Sequence, residues 1–304
     1  VHSMINKVVF PLVISLAVLT QGCVSTTPLT NPEDPAKMGQ LVIAEPLPVN
    51  YKSEIAIARL SEVINRVKIS EEQRAQLFYD RGVLFDSVGL RSLARLDFSR
   101  ALQLKPNLVD AYNFLGIHYT QMQEFSQAYE QFDSALELAP LHEYAYLNRG
   151  IALYYGARPE LAVQDFEAFH HQQSDDPYRI LWLYLTEHEV DAKSAMEQLT
   201  KRVKKVDDRT WAKQVIKMYL GDISQREFID NLTQGVETNK HLTDRLCEAY
   251  FYLGKYNQIL GDELAAANFF KLSLSTNVYE FVEHRYAKLE LDLMASTKAL
   301  SIVP

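Results

Sequence analysis

The chain has 304 residues, 47% hydrophobic and 23% charged, and a formal net charge of −8 at neutral pH. That balance excludes a phosphate backbone as the main partner, since nucleic-acid binders carry a basic face and the short basic stretch Lys201–Lys205 reads as a solvated helix end. Two cysteines, Cys23 and Cys247, are too few for a disulfide framework or a thiolate zinc site, and Cys247 falls among apolar helical neighbours as a small core residue.

From the N-terminus, an apolar run from Val8 to Leu19 follows Lys7. It is shorter than the roughly twenty residues a membrane-spanning helix needs, and with a small residue at its end it reads as a secretory signal. Val1-His2-Ser3 precede Met4, the expected start. Gln21-Gly22-Cys23 resembles the lipobox of bacterial lipoproteins, with residues 1–22 as signal peptide. The resemblance implies a diacylglyceryl thioether and acyl chains such as palmitate on Cys23. Thr20 stands where that family has leucine, and Leu19 lies one place further out. Val24 after the cysteine implies, by the same resemblance, the outer membrane, with the folded part facing the periplasm.

Residues 23–50 carry Pro28, Pro32, Pro35, Pro46 and Pro48 without helical periodicity, which predicts an extended, semi-stiff linker. Leu41-Val42-Ile43 interrupts it and is expected to dock on the folded body. In residues 51–69, Ile55, Ile57, Leu60, Val63, Ile64 and Val67 form one apolar stripe of a helix that has no partner in its own repeat, a candidate dimerisation element.

Residues 70–304 read as a repeat array. Ser70 and Gln73 form a capping box that starts its first helix. Gly82, Gly116 and Gly150 are each 34 residues apart, and each keeps the same company. An aromatic precedes by four (Phe78, Tyr112, Tyr146), an alanine follows by twelve (Ala94, Ala128, Ala162), and a phenylalanine follows by sixteen (Phe98, Phe132, Phe166). Pro106 and Pro140 close the first two units. This is the signature of the tetratricopeptide repeat (TPR), a helix–turn–helix unit, with clear repeats at about 75–108, 109–142 and 143–176. The glycine and alanine are expected to face each other where the two helices meet, with the aromatics filling the space between units.

The third unit has Phe169 at a usually small position, and its proline arrives late, at Pro177. A further unit at 247–280 has Tyr250, Gly254, Ala266 and Phe270. The 104-residue interval from Gly150 to Gly254 leaves room for two degenerate units, around Trp182–Tyr184 and Trp211–Gly221, with Ser224 and Glu227 as another capping box. Phe281, Tyr286, Leu289 and Leu291 predict a last helix that caps the array or lies in its groove. The expected fold is all-α: a TPR solenoid with degenerate central units and a C-terminal capping helix.

No catalytic, cofactor or metal site is expected. There is no His-Glu-x-x-His, no Gly-rich phosphate loop and no Gly-x-Ser-x-Gly elbow. His170 and His171 point about 100° apart on a helix, Asp175-Asp176-Pro177 reads as a turn and helix start, and His284 as a packed residue. In such arrays the first helix of each unit lines the concave face. Subtracting core positions leaves Tyr79, Val83, Asp86, Asn113, Ile117, Thr120, Tyr144, Leu147, Ile151, Tyr155, Phe251, Lys255 and Ile259 as candidate partner-binding residues. Tyr79 and Val83 occupy positions where some TPR proteins hold a Lys–Asn carboxylate clamp, so that mechanism does not carry over.

Longer runs narrow the likeness. Arg81-Gly82-Val83-Leu84, Leu147-Asn148-Arg149-Gly150-Ile151-Ala152-Leu153-Tyr154-Tyr155-Gly156, Phe251-Tyr252-Leu253-Gly254-Lys255-Tyr256 and Phe281-Val282-Glu283-His284-Arg285-Tyr286-Ala287 resemble the NlpI family of bacterial TPR lipoproteins. The resemblance implies a homodimeric adaptor that binds envelope peptidoglycan hydrolases, especially endopeptidases, and a periplasmic processing protease, with a role in cell-wall remodelling and cell division. Another reading is an assembly factor for outer-membrane proteins or pili, where TPR lipoproteins also occur; a hydrolase in its own right is a third.

Overall fold

The structure, a computed structural model, describes residues 41–66 and 68–302, with side chains described as far as residue 297. The signal peptide, the lipidation candidate Cys23, the linker as far as residue 40 and Val67 lie outside the described residues.

Helix α1 (Tyr51–Arg66) lies first, and six helical hairpins follow. They are α2 (Glu71–Ser87) with α3 (Arg91–Leu104), α4 (Val109–Gln121) with α5 (Phe125–Leu138), and α6 (Glu143–Tyr155) with α7 (Pro159–Gln172). Next come α8 (Pro177–Val190) with α9 (Ala192–Arg202), α10 (Lys213–Leu220) with α11 (Gln225–Asp230), and α12 (Asn239–Ile259) with α13 (Glu263–Leu274). The last helix is α14 (Val282–Ile302), and no strand occurs among the described residues. The two central pairs stand where the spacing left room for degenerate units, and α10 and α11 are only 8 and 6 residues long.

Local chemistry sets the helix starts. Ser70 accepts from the Gln73 backbone N–H and its own N–H donates to Gln73 Oε1, so two end groups are satisfied reciprocally. Asp176 accepts from the N–H groups of Tyr178 and Arg179, with Pro177 in the first turn where no donor is needed. Each turn inside a clear hairpin has one residue in the left-handed region, seven places after the repeat glycine: Gly89, Gln123, Ala157 and Gly261. Two of the four, Gln123 and Ala157, are not glycine, so those turns carry left-handed strain, Ala157 at φ of 56°.

The repeat glycines have a definite steric role. A Cβ on Gly82 would lie 2.8 Å from the Phe98 ring, on Gly116 2.5 Å from Phe132, and on Gly150 3.2 Å from Phe166; on Gly254 it would meet Phe270 closest of all. Each glycine is therefore the seat of the phenylalanine sixteen residues on, whose ring is fully buried. Ala94, Ala128, Ala162 and Ala266 are fully buried, and the atoms closest to a side chain placed on each glycine are those of the aromatic ring.

The phenylalanines also join successive units: Phe98 stacks on Phe114 at 4.8 Å and Phe166 on Trp182 at 5.8 Å. Of the aromatics that precede the glycines, Tyr112 and Tyr146 pack against Ala135, Leu136 and Ala145 where the second and third units meet. Tyr250 is buried, but Phe78, Tyr112 and Tyr146 are half-buried at the edge of the interior. Phe78 lies under the Arg81 and Arg100 guanidiniums, and Tyr146 sends its hydroxyl to the Pro140 carbonyl, so polar chemistry holds them at the boundary.

Segment 41–50 docks on the last hairpin. Leu41 and Val42 pack against the main core while Ile43 points outward, 69% exposed. The Tyr250 hydroxyl donates to the Val42 carbonyl, Asn239 and Thr243 donate to the Glu45 carbonyl, and the Leu47 N–H donates to the Thr276 carbonyl. Helix α1 packs on α2 through Ile57 and Ile64, leaving Tyr51 and Ile55 exposed.

Candidate protein-binding face

The first helices of the hairpins share one face, and α14 lies along it. Its Arg285 Nη2 sits 2.6 Å from Asp86 Oδ2 on α2, and its Tyr286 stacks on Tyr155 of α6 at 5.5 Å. Tyr286 also meets Trp182 of α8 edge-on, and Glu290 receives Lys255 Nζ of α12 at 2.7 Å. The last helix thus fills the groove rather than only closing the end of the array.

Asp86 is taken by this helix, and seven more of the expected partner-binding residues are engaged within the hairpins. Asp86 is buried against Arg285, with His118 Nε2 3.0 Å from its other oxygen. Burial alone would push the Asp86 carboxyl up, but His118, Arg285 and Arg91 outweigh it and hold it below the ordinary carboxylate value. Tyr79 packs its ring against Phe98 and Phe114, with Val83 in the same cluster. Asn113 accepts from Asn148, Thr120 donates to the Gly116 carbonyl, and Ile117, Ile151 and Phe251 are core. These positions are used inside the chain because α14 and the neighbouring hairpins take the place a ligand would have.

Tyr144, Leu147, Tyr155, Lys255 and Ile259 do border open space. One cavity of about 580 Å³ lies beside the middle of α14, among Tyr154, His188, Glu189, Lys255, Gln258, Ile259, Glu290, Leu293 and Met294. Tyr155 borders an adjoining recess. Burial works against the charge of Lys255, but Glu290 and Tyr154 reverse the effect and raise the ammonium above its ordinary value.

A second cavity, about 520 Å³, lies beside the first turn of α14. Its walls are Tyr144 (53% exposed), Leu147, Phe169, Tyr178, Trp182 and Phe281, with Arg179, Glu248 and Glu283 among them. The Tyr178 hydroxyl and the Trp211 indole N–H both donate to Glu248 Oε2, at 2.5 and 2.9 Å. The Tyr252 hydroxyl donates to Glu283 Oε1 at 3.2 Å.

Sequence reasoning missed Arg285, Glu290, Glu248 and Glu283. A signal was present: Glu248 stands between Cys247 and Ala249, and Glu290 between Leu289 and Leu291, charges set inside apolar helical runs. Such charges need a partner when the helix packs. Elsewhere, His284 is buried with its Nε2 against the Leu274 carbonyl, and Asp176 is a helix cap. No cluster of three or more metal-ligating side chains occurs among the described residues, and no helix among them is long and apolar enough to cross a membrane.

No family model matches the chain. Among solved structures it is similar to a tetratricopeptide repeat protein from Parabacteroides merdae, with 15% identity and a TM-score of 0.51, covering 81% of this chain and 100% of that one. The C-terminal part of a TPR repeat-containing protein from Cytophaga hutchinsonii gives 16% identity and a TM-score of 0.47, over 74% of this chain and 90% of that one. Pseudomonas aeruginosa pilF gives 16% and 0.44, over 72% and 99%. The fold is thus a tetratricopeptide solenoid, which the match to the Parabacteroides protein carries.

Proposed function

We propose that this protein is an adaptor, lipid-anchored through Cys23 in the outer membrane and facing the periplasm. In this reading it binds peptidoglycan hydrolases, endopeptidases among them, together with a periplasmic protease, and acts as a homodimer. Its action is to bring hydrolase and protease together, so that hydrolase levels and cell-wall remodelling follow from proteolysis; it carries out no catalysis of its own.

The observation that supports it most is the inner face. Two open cavities flank α14, one of them walled by Tyr144, Tyr178 and Trp182. Aromatic rings with polar tips give large contact area at low entropic cost, the chemistry of protein-binding hot spots. A solenoid also offers a separate outer face, so two partners fit at once.

Affinity capture from envelope extracts tests it. Hydrolase and protease are expected together in the eluate, with recovery lowered by Tyr144→Ala. Recovery of neither overturns the reading. Mass spectrometry of the membrane fraction is expected to show an acylated Cys23, and Cys23→Ser to release the protein to the soluble fraction. Light scattering on the form lacking residues 1–23, with and without the segment to Val67, checks the dimer; monomers are expected only after the second deletion.

A further inference from the structure

Buried acids in this chain come with cations. Asp97 meets Arg81, Asp165 meets Arg149, Asp86 meets Arg285 and Glu290 meets Lys255, all within 2.8 Å. Glu283 breaks the rule. It is 7% exposed, and among the described residues no cation lies within ion-pair distance of it or of Glu248. Glu248 accepts from the Tyr178 hydroxyl and the Trp211 indole, and Glu283 from the Tyr252 hydroxyl and its own backbone N–H, all of them neutral donors.

Both carboxylates line the cavity beside the first turn of α14. Its one lining cation, Arg179, is committed to Glu143 and to the Phe169 carbonyl, with its guanidinium over the Phe169 ring. Arg245, whose field reaches Glu248, is turned to the carbonyls of Leu232 and Gln234. The helix dipole favours an acid in the first turn of α14, but a partial charge does not replace a cation. Burial, then the neighbouring Glu248, raise the Glu283 carboxyl to about 8, so near neutral pH it keeps its proton until a cation arrives to favour the ionised form.

We propose that this cavity is a receptor for a cationic side chain, lysine or arginine, of a partner protein, with Glu283 and Glu248 as its counter-ions. Trp182, Tyr178 and Phe281 supply the aromatic walls that such a cation favours over plain hydrocarbon. A volume of about 520 Å³ lies within the range of ligand sites and takes the side chain with adjoining peptide. The proposal rests on the reading of the inner face as the partner-binding face and names the chemistry it selects.

The chain's two tryptophans report on the site, since Trp182 lines the cavity and Trp211 donates to Glu248. Their fluorescence is followed in the full chain during titration with three tripeptides: acetyl-Leu-Arg-Leu-amide, acetyl-Leu-Lys-Leu-amide and the norleucine analogue of the same length. Both cationic peptides are expected to bind at least tenfold more tightly than the norleucine peptide, with a preference that shrinks as salt is raised. Glu283→Gln and Glu248→Gln, which keep size and hydrogen bonding, are each expected to weaken the cationic peptides at least fivefold and leave the norleucine peptide unchanged.

Equal binding of all three peptides, or salt-independent binding unaffected by both substitutions, overturns the proposal. Envelope capture separates the two readings. Hydrolase recovered equally by wild type and Glu283→Gln sinks the cation receptor and keeps the adaptor. Selective cationic-peptide binding without any captured hydrolase or protease keeps the receptor and sinks the adaptor.

Discussion

Replacing each repeat glycine by alanine turns one geometric series into a stability series. A methyl group on Gly116 would sit 2.5 Å from the Phe132 ring, and on Gly254 nearer still to Phe270, well inside van der Waals contact. Both rings are fully buried, so neither has space to retreat. Overpacking of this kind costs about 1–3 kcal/mol, and the better helix propensity of alanine returns up to about 1 kcal/mol. Gly116→Ala and Gly254→Ala are therefore expected to lose on the order of 1–2 kcal/mol net. At Gly150 the distance is 3.2 Å, a shift of a few tenths of an ångström relieves it, and Gly150→Ala is expected within about 1 kcal/mol of wild type.

A repeat array need not unfold in one step, so urea titration is paired with hydrogen exchange resolved to single hairpins. Protection is expected to fall first in α4–α5 for Gly116→Ala and in α12–α13 for Gly254→Ala. Phe132→Leu in the Gly116→Ala background is expected to recover part of the loss, giving a non-additive cycle. Equal losses at Gly116 and Gly150, or full additivity with Phe132→Leu, would refute the ring-seat account.

Lys255→Met strands the Glu290 charge in a buried site, a change that costs about 3–5 kcal/mol, and is expected to raise hydrogen exchange throughout α14; restored protection in Lys255→Met/Glu290→Gln checks the cause. Burial depresses His284 to about 4, so the unfolded chain takes its proton first, and stability is expected to fall as pH drops from 6.5 towards 4. A contribution on the order of 2 kcal/mol is at stake, and His284→Gln should flatten that part of the Tm–pH curve; an unchanged acid limb would refute it. Ala157→Gly, at φ of 56°, is expected to stabilise by about 0.5–1 kcal/mol in urea titration.

The repeat spacing made the hairpins legible because packing between neighbours in sequence follows a fixed period. Ser70, Asp176 and Ser224 marked helix starts for the same reason, since a cap acts within three residues. What the period could not carry was the contact between distant segments. Asp86, Tyr155 and Lys255 stood out correctly as inward-facing, yet Arg285, Tyr286 and Glu290 meet them from elsewhere in the chain. No local pattern encodes a pairing across 199 residues. The docking of Leu41 and Val42 was readable as apolar interruption of a linker, but not its target beside Tyr250.

The Asp86–Arg285 tie also has a consequence in time. A nascent chain exposes its first hairpins before residues 282–302 have been synthesised. Until then Asp86 has no arginine from α14 and the rings of Trp182 and Tyr155 have no cover, so the early hairpins present a wet, adhesive trough. Closure is then a late, non-local event whose loop entropy spans most of the array.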